Sequence, residues 1–349
     1  MIQAITNRSK SFAVFRSVSL AMLSGWWNGG GAAAADACDE EVVQEVVSAD
    51  QIVAKRQNGE LPRVISGVIE DLSGQTLVLR RGPGEVEVFS LRDVSRVEFH
   101  KSPEFDEGSR KLNAHQVLEA IPLLRTASLM EPRKWVIREI NAELARALVH
   151  AQKFDEALKT IETVMESDPG TRHVTELPLV WDERLPESAR IRMDLSELKA
   201  RSEVRRFVAA SANLHEASSR ENCIAVLRTL QKSSNSTTQV LAESQLWRVK
   251  LLDSDQLDSS DVQMWHRQLQ RLDRRTRSGP EFLCGRAHLL LNEYDHAATS
   301  LMWMPLVEPL SPDLCRASLN HAAAALELAG RRREAASARS LASLIPLIP

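Results

Sequence analysis

Apolar residues recur at intervals of three and four through most of the chain, and at intervals of two in one short stretch nearer its start. The stretch 138–169 shows the first pattern most clearly and predicts two amphipathic helices joined by a short turn. Phe154 stands three residues before Ala157, and Pro169 follows twelve residues after that alanine. The same interval returns at Ala120 and Pro132, and at Ala297 and Pro309. A small residue lies twelve positions before each alanine: Gly108, Ala145 and Gly285. In a helical hairpin, a small residue in the first helix lets the alanine of the second approach closely. The proline then ends the second helix, because it lacks an N–H and clashes with the preceding turn. The pattern predicts a mainly α chain over 103–349, built from helical hairpins.

Within that region the spacing lapses over 172–280. Helical periodicity continues at 204–217, 221–232, 238–252 and 261–272, with N-caps expected at Ser219, Ser236 and Ser260. Residues 177–181 read as an inserted loop that packs Trp181 onto the helices.

The period-two stretch covers 50–101. Segments 64–70, 75–80 and 85–89 alternate or are rich in β-branched residues, and turns fall at Ser73-Gly74 and at 81–84. With 52–54 and the run closed by Val94, Val97 and Phe99, this makes five short strands. Closing such a sheet into a small barrel would remove its exposed edges. The strand spacing resembles SH3-like and Sm-like units, but the RNA-contacting loop residues of Sm-like proteins have no counterpart here. The expectation is a small β domain that packs on the helices or spaces them. A ligand- or glycan-binding unit is the alternative, although Phe89 and Phe99 are its only aromatics.

Residues 1–37 have the features of a secretory signal peptide. Arg8, Lys10 and Arg16 precede an apolar stretch at 18–27, and Ala35-Asp36-Ala37 supplies a small-x-small cleavage pattern. The apolar stretch is too short for a membrane span, which takes ~20 residues. Export to a periplasm or cell envelope is implied, with 38–49 as a linker. Cys38 follows the cut, but Ala35 stands where lipoprotein signals carry a leucine-like residue, so no lipid anchor is expected.

The hairpin signature resembles the tetratricopeptide repeat, in which a small residue, an aromatic, an alanine and a proline recur within ~34 residues. Phe154-Asp155-Glu156-Ala157 and Tyr294-Asp295-His296-Ala297 match its aromatic-x-x-alanine core. Residues 330–335, with Ala323 as small residue and Pro346 as terminator, resemble a further copy. The copies depart from the norm, because Ala120 to Ala157 is 37 residues and Ala297 to Ala335 is 38. The early first-helix tryptophan is also missing. The chain as a whole is similar to exported bacterial proteins that join a leader, a small β unit and divergent tetratricopeptide hairpins. The resemblance implies a TPR-like α/α solenoid that binds a protein partner on its concave face. Arg146 and Arg286, each one residue after a small residue, would share a groove position there. Both could grip partner carboxylates in bidentate pairs.

Reaction chemistry finds little support. The net charge of −3 gives no electrostatic case for nucleic acid. Metalloprotease, nucleophile-elbow, P-loop and dinucleotide motifs are all missing. Cys284, His288 and His296 could in principle hold zinc, but a buried thiol beside two surface histidines explains them better. Oxidation of Cys284 with Cys315 is left open by the sequence. Arg271, Arg274, Arg275 and Arg277 read as a charged helix end favoured by its dipole. The expected function is therefore an exported, non-catalytic interaction or scaffolding protein without metal or cofactor. An envelope enzyme or enzyme accessory with a site in 172–280 is the alternative.

Overall fold

A computed structural model describes residues 50–55, 62–253 and 257–345, all within one compact unit. The leader, the linker with Cys38 and Pro346 lie outside the described residues. The chain is mainly helical, with a small antiparallel sheet at its start. No described helix is long and apolar enough to cross a membrane.

The sheet comprises β1 (Asp50–Ala54), β2 (Arg63–Ser73), β3 (Thr76–Gly82), β4 (Glu85–Ser90) and β5 (Val94–Glu98), in the order β4-β3-β2-β1-β5. Among the described residues the ladder ends at β4 on one side and β5 on the other. Helices cover its apolar face. Ile52, Ile69, Leu77 and Leu79 share one core with Phe105, Leu112, Trp135 and Ile140. The Trp135 indole N–H donates to the Ile69 carbonyl at 3.0 Å, and Arg138 donates to Asp71 at 2.6 Å and to the Leu72 carbonyl at 3.1 Å.

Helices α1 (Pro103–Asn113), α2 (Val117–Met130), α3 (Lys134–His150) and α4 (Phe154–Ser167) follow. The middle of the chain supplies α5 (Glu203–Asn213), α6 (Arg220–Leu230), α7 (Ser236–Leu252) and α8 (Ser259–Leu269). The last four are α9 (Arg274–Leu290), α10 (Tyr294–Val307), α11 (Pro312–Leu328) and α12 (Arg332–Leu344). The pairs α1–α2, α3–α4, α9–α10 and α11–α12 are joined by the same turn. Its second residue has positive φ in every case: His115 (59°), Gln152 (58°), Asn292 (59°) and Gly330 (76°). The following N–H then reaches back to the helix that has just ended. Gln116 donates to Lys111 (2.9 Å), Lys153 to Leu148 (2.8 Å), Glu293 to His288 (2.9 Å) and Arg331 to Leu326 (2.8 Å). This left-handed cap pairs carbonyls that a helix end otherwise leaves open.

The small residues act somewhat differently from the sequence expectation. A Cβ on Gly108 would lie 3.0 Å from Leu124, and one on Gly285 would lie 2.5 Å from Leu301. Each leucine stands four residues after the expected alanine, one turn further along the same face. The glycine makes room for the leucine rather than for the alanine itself.

Two expected caps move. Asn235 rather than Ser236 caps α7, accepting from the N–H groups of Thr237 and Thr238. Asp258 rather than Ser260 caps α8, in a reciprocal box with Asp261. Ser219 does precede α6, but its hydroxyl donates to the Asn213 carbonyl. Helix α9 starts before Pro280 and runs through it. Arg274, Arg275 and Arg277 therefore sit at its N-terminal end, where the dipole disfavours cations. Arg274 instead donates to the Val307 carbonyl at 2.9 Å, and Arg277 pairs with Glu281 at 2.5 Å. Cys223, Cys284 and Cys315 are buried free thiols.

The repeated cap yields a paired prediction. A side chain in the left-handed region costs roughly 1–2 kcal/mol, and at Gly330 an added methyl group would meet no neighbouring atom. His115→Gly should stabilise the protein by about 1 kcal/mol and Gly330→Ala should destabilise it by a similar amount. Urea denaturation of both variants checks the pair.

Candidate functional site

The segment between α4 and α5 holds three short 3-10 turns: Arg172–Glu176, Glu187–Ala189 and Leu195–Lys199. Two contacts fold it back onto the helices. The Trp181 indole lies against Gly279 of α9, where a Cβ would come within 2.2 Å of the ring. Next to it, Asp182 and Glu183 meet Arg286.

Arg286 is thus not open to a partner, as its sequence position implied. It is 5% exposed, and it donates to Glu183 at 2.9 Å and to Asp182 at 3.4 Å. Burial opposes ionisation of both carboxyls, yet Arg286, joined at Asp182 by His321, holds each below its ordinary range. Behind them the fully buried Arg248 donates to the Ser211 carbonyl at 2.9 Å and to Gln245 at 2.7 Å. Burial pushes Arg248 down to about 10.

With the segment held this way, a groove runs along α3. Its first cavity, about 410 Å³, is lined by Arg96, Val97, Phe99 and Trp135 at the sheet. Next comes one of about 160 Å³ with Glu139, Arg146, Arg172, His173 and Arg275. Two slots of about 70 and 50 Å³ follow, between α3, the 177–181 wall and Leu314. Arg275 lines the first three of these cavities. On α3, Glu139, Glu143, Arg146 and His150 succeed one another at spacings of four, three and four, which puts them on one face.

The charges of the groove are unevenly engaged. Arg172 donates to Glu139 at 2.7 Å, and the His173 Nε2 lies 2.9 Å from the other carboxylate oxygen. Burial alone would raise the Glu139 carboxyl, but His173 and Arg172 override it and hold it at about 2. Arg275 stands 3.7 Å from Glu308. Arg146 and Glu176 are half-buried and make no hydrogen bond or ion pair among the described residues. Three further polar atoms are buried without a partner: Nδ1 of His150, Nδ1 of His173 and Oγ1 of Thr175. His150 donates through Nε2 to the Leu310 carbonyl, which leaves its Nδ1 as a bare acceptor. Burial lowers His150 to about 4, so the ring is neutral at pH 7.

Arg146 lies where a partner could reach it, and the structure does not bring Arg286 into the same groove. Nor are Cys284, His288 and His296 gathered as a ligand set. The Cys284 thiol is fully buried, and burial raises its pKa well above the ordinary value. His288 meets His266 of α8 at 2.6 Å, donates to Glu293 at 2.5 Å and stacks on His296. Among the described residues no three His, Cys, Asp or Glu side chains form a metal-binding group. Sequence reasoning missed Asp182, Glu183, His173 and Thr175. The acidic pair directly after Trp181 was the available signal for the first two, and none existed for the others.

Two measurements follow. Gly279→Ala should destabilise the protein by roughly 1–3 kcal/mol through overpacking against Trp181. Much of that loss should disappear when Trp181→Ala is combined with it, as a double-mutant cycle in denaturant would show. His150 is neutral when folded, down to about pH 4, whereas its unfolded value is 6.5. Its contribution is therefore complete above pH 6.5 and is lost as pH falls toward 4, by at most ~3 kcal/mol. An NMR titration of the ring should place its midpoint far below 6.5, and His150→Asn should remove this part of the acid sensitivity.

No protein-family model, curated protein or solved structure matches the chain.

Proposed function

We propose that this is a non-catalytic partner-binding scaffold, a TPR-like hairpin array that receives a segment of another protein in the groove along α3. The observation that carries the reading is Arg146, an unpaired cation in the wall of a continuous groove. A half-buried guanidinium with five donors and no acceptor is poised for an incoming one. The four equivalent turns support the hairpin-array reading, since each fixes its helix pair in the same way. The sheet shares its core with α1–α3, which supports a role as a fixed end-piece rather than a separate binding unit. Export to a bacterial periplasm or envelope rests on the leader-like pattern of 1–37.

A second reading has one specific observation in its favour. Glu139 and His173 form a carboxylate–imidazole pair at the wall of the 160 Å³ cavity, with the second ring nitrogen unpaired. Such a pair can serve a general base. No Ser, Thr or Cys lines that cavity, so a nucleophile would have to be water. Binding is the better supported reading.

A photoreactive side chain tests it in the native envelope. Placed at Leu179 in the groove, it should capture one protein partner; placed at Lys159 on the exposed face of α4, it should not. Capture from Lys159 alone would overturn the assignment.

A further inference from the structure

We infer that α8 is an acid-released helix: an imidazole–imidazole hydrogen bond seats it on α9 at neutral pH and breaks once both rings carry an extra proton. No residue of α8 lines the groove along α3, and the partner-binding reading neither supports nor needs this device. The bond joins His266 Nε2 of α8 to His288 Nε2 of α9 at 2.6 Å. Such a contact needs one N–H and one bare nitrogen. His288 Nδ1 donates to Glu293 at 2.5 Å, so a neutral His288 presents a bare Nε2 and His266 supplies the N–H. One added proton is tolerated, because His288 can become imidazolium against Glu293 while His266 accepts in its other tautomer. A second is not. Two N–H groups would then face each other, with two cations in contact.

The surroundings do not neutralise that second charge. His296, exposed on α10, stacks on His288 with ring centres 5.3 Å apart, so acid brings a third cation to the same place. Glu281 and Arg277 of α9 both act on His266, but they engage each other at 2.5 Å. The Cys284 thiol, one turn before His288, is uncharged because burial raises it. On the α7 side Lys250 pairs with Asp261, and Glu243 accepts from Gln268 at 2.5 Å, so both are committed to α8 itself. Among the described residues Glu293 is the one carboxylate that touches a ring, and it also accepts from Ser259 of α8 at 3.3 Å. The polar links from α8 toward α9 and α10 therefore converge on the His288–Glu293 pair.

Burial lowers both His266 and His288 from the ordinary value of 6.5, and the nearby carboxylates offset only part of this. With folded values below the unfolded one, their contribution is complete above pH 6.5 and is lost as pH falls below it. The apolar side of α8 carries Val262, Trp265 and Leu269, and Trp265 stacks on Trp247. Loosening α8 would uncover that stack, an apolar surface that is closed at neutral pH.

Hydrogen exchange of the full chain, read by mass spectrometry and corrected for intrinsic rates, tests this at about pH 7.5 and about pH 5. Protection of the α8 amides should fall about tenfold or more at the lower pH, while α5 keeps its protection. His266→Gln keeps an amide donor toward His288 and cannot gain charge, so there the fall should shrink to about twofold or less. An NMR titration of the wild-type rings, which needs no variant, should show His266 and His288 titrating in two separate steps, both below 6.5. Unchanged α8 protection at the lower pH, an equal loss over α5 and α8, the same loss in His266→Gln, or a single step near 6.5 would overturn the inference.

Discussion

A guanidinium removed from water must find its counter-charge inside the protein, because a buried charge left unpaired costs several kcal/mol. Arg286 imposes that constraint here. It sits on α9 with almost no exposure, and its carboxylates come from Asp182 and Glu183, far earlier in the chain. The segment that carries them cannot loop freely into solvent. Trp181 is drawn onto Gly279, and the residues before it become a wall facing α3. Without that pair there would be a helical hairpin but no second side to the groove.

The other side depends on backbone geometry. Four turns place a residue in the left-handed region at the same point, three of them without glycine. The strain is offset by the carbonyls that each turn pairs, and the result is a fixed approach of one helix to the next. Helix α3 is fixed at both ends: the turn at Gln152 sets its exit, and Trp135 and Arg138 lock its start to β2. Its polar stripe from Glu139 to His150 is thereby held facing the wall.

Local regularities were legible in the sequence, and long-range ones were not. The alanine-to-proline interval located α2, α4 and α10, and the period-two runs located the strands, because both patterns act over a few residues. The same rule misjudged what the glycines accommodate, since Leu124 and Leu301 lie one turn beyond the alanines. That helices cover the apolar face of the sheet is something strand spacing cannot reveal. Arg146 and Arg286 hold equivalent positions in their hairpins, yet Arg286 pairs with Asp182 and Glu183 while Arg146 makes no ion pair among the described residues, a difference the repeat position could not show. The arginine run suggested a helix end favoured by its dipole, yet Arg274 and Arg275 open α9, which continues through Pro280, and so sit at the less favourable end.

If the Arg286 pair holds 177–185 as a fixed wall of the groove, amide hydrogen exchange will register it in the wild-type chain and in Arg286→Met. In the wild type, amides of 177–185 should be protected to an extent comparable with neighbouring α9. In the variant, exchange should accelerate in 177–185 while α11 and α12 keep their protection. Rapid exchange of 177–185 already in the wild type, or unchanged protection in the variant, would mean that the wall is not held by this pair.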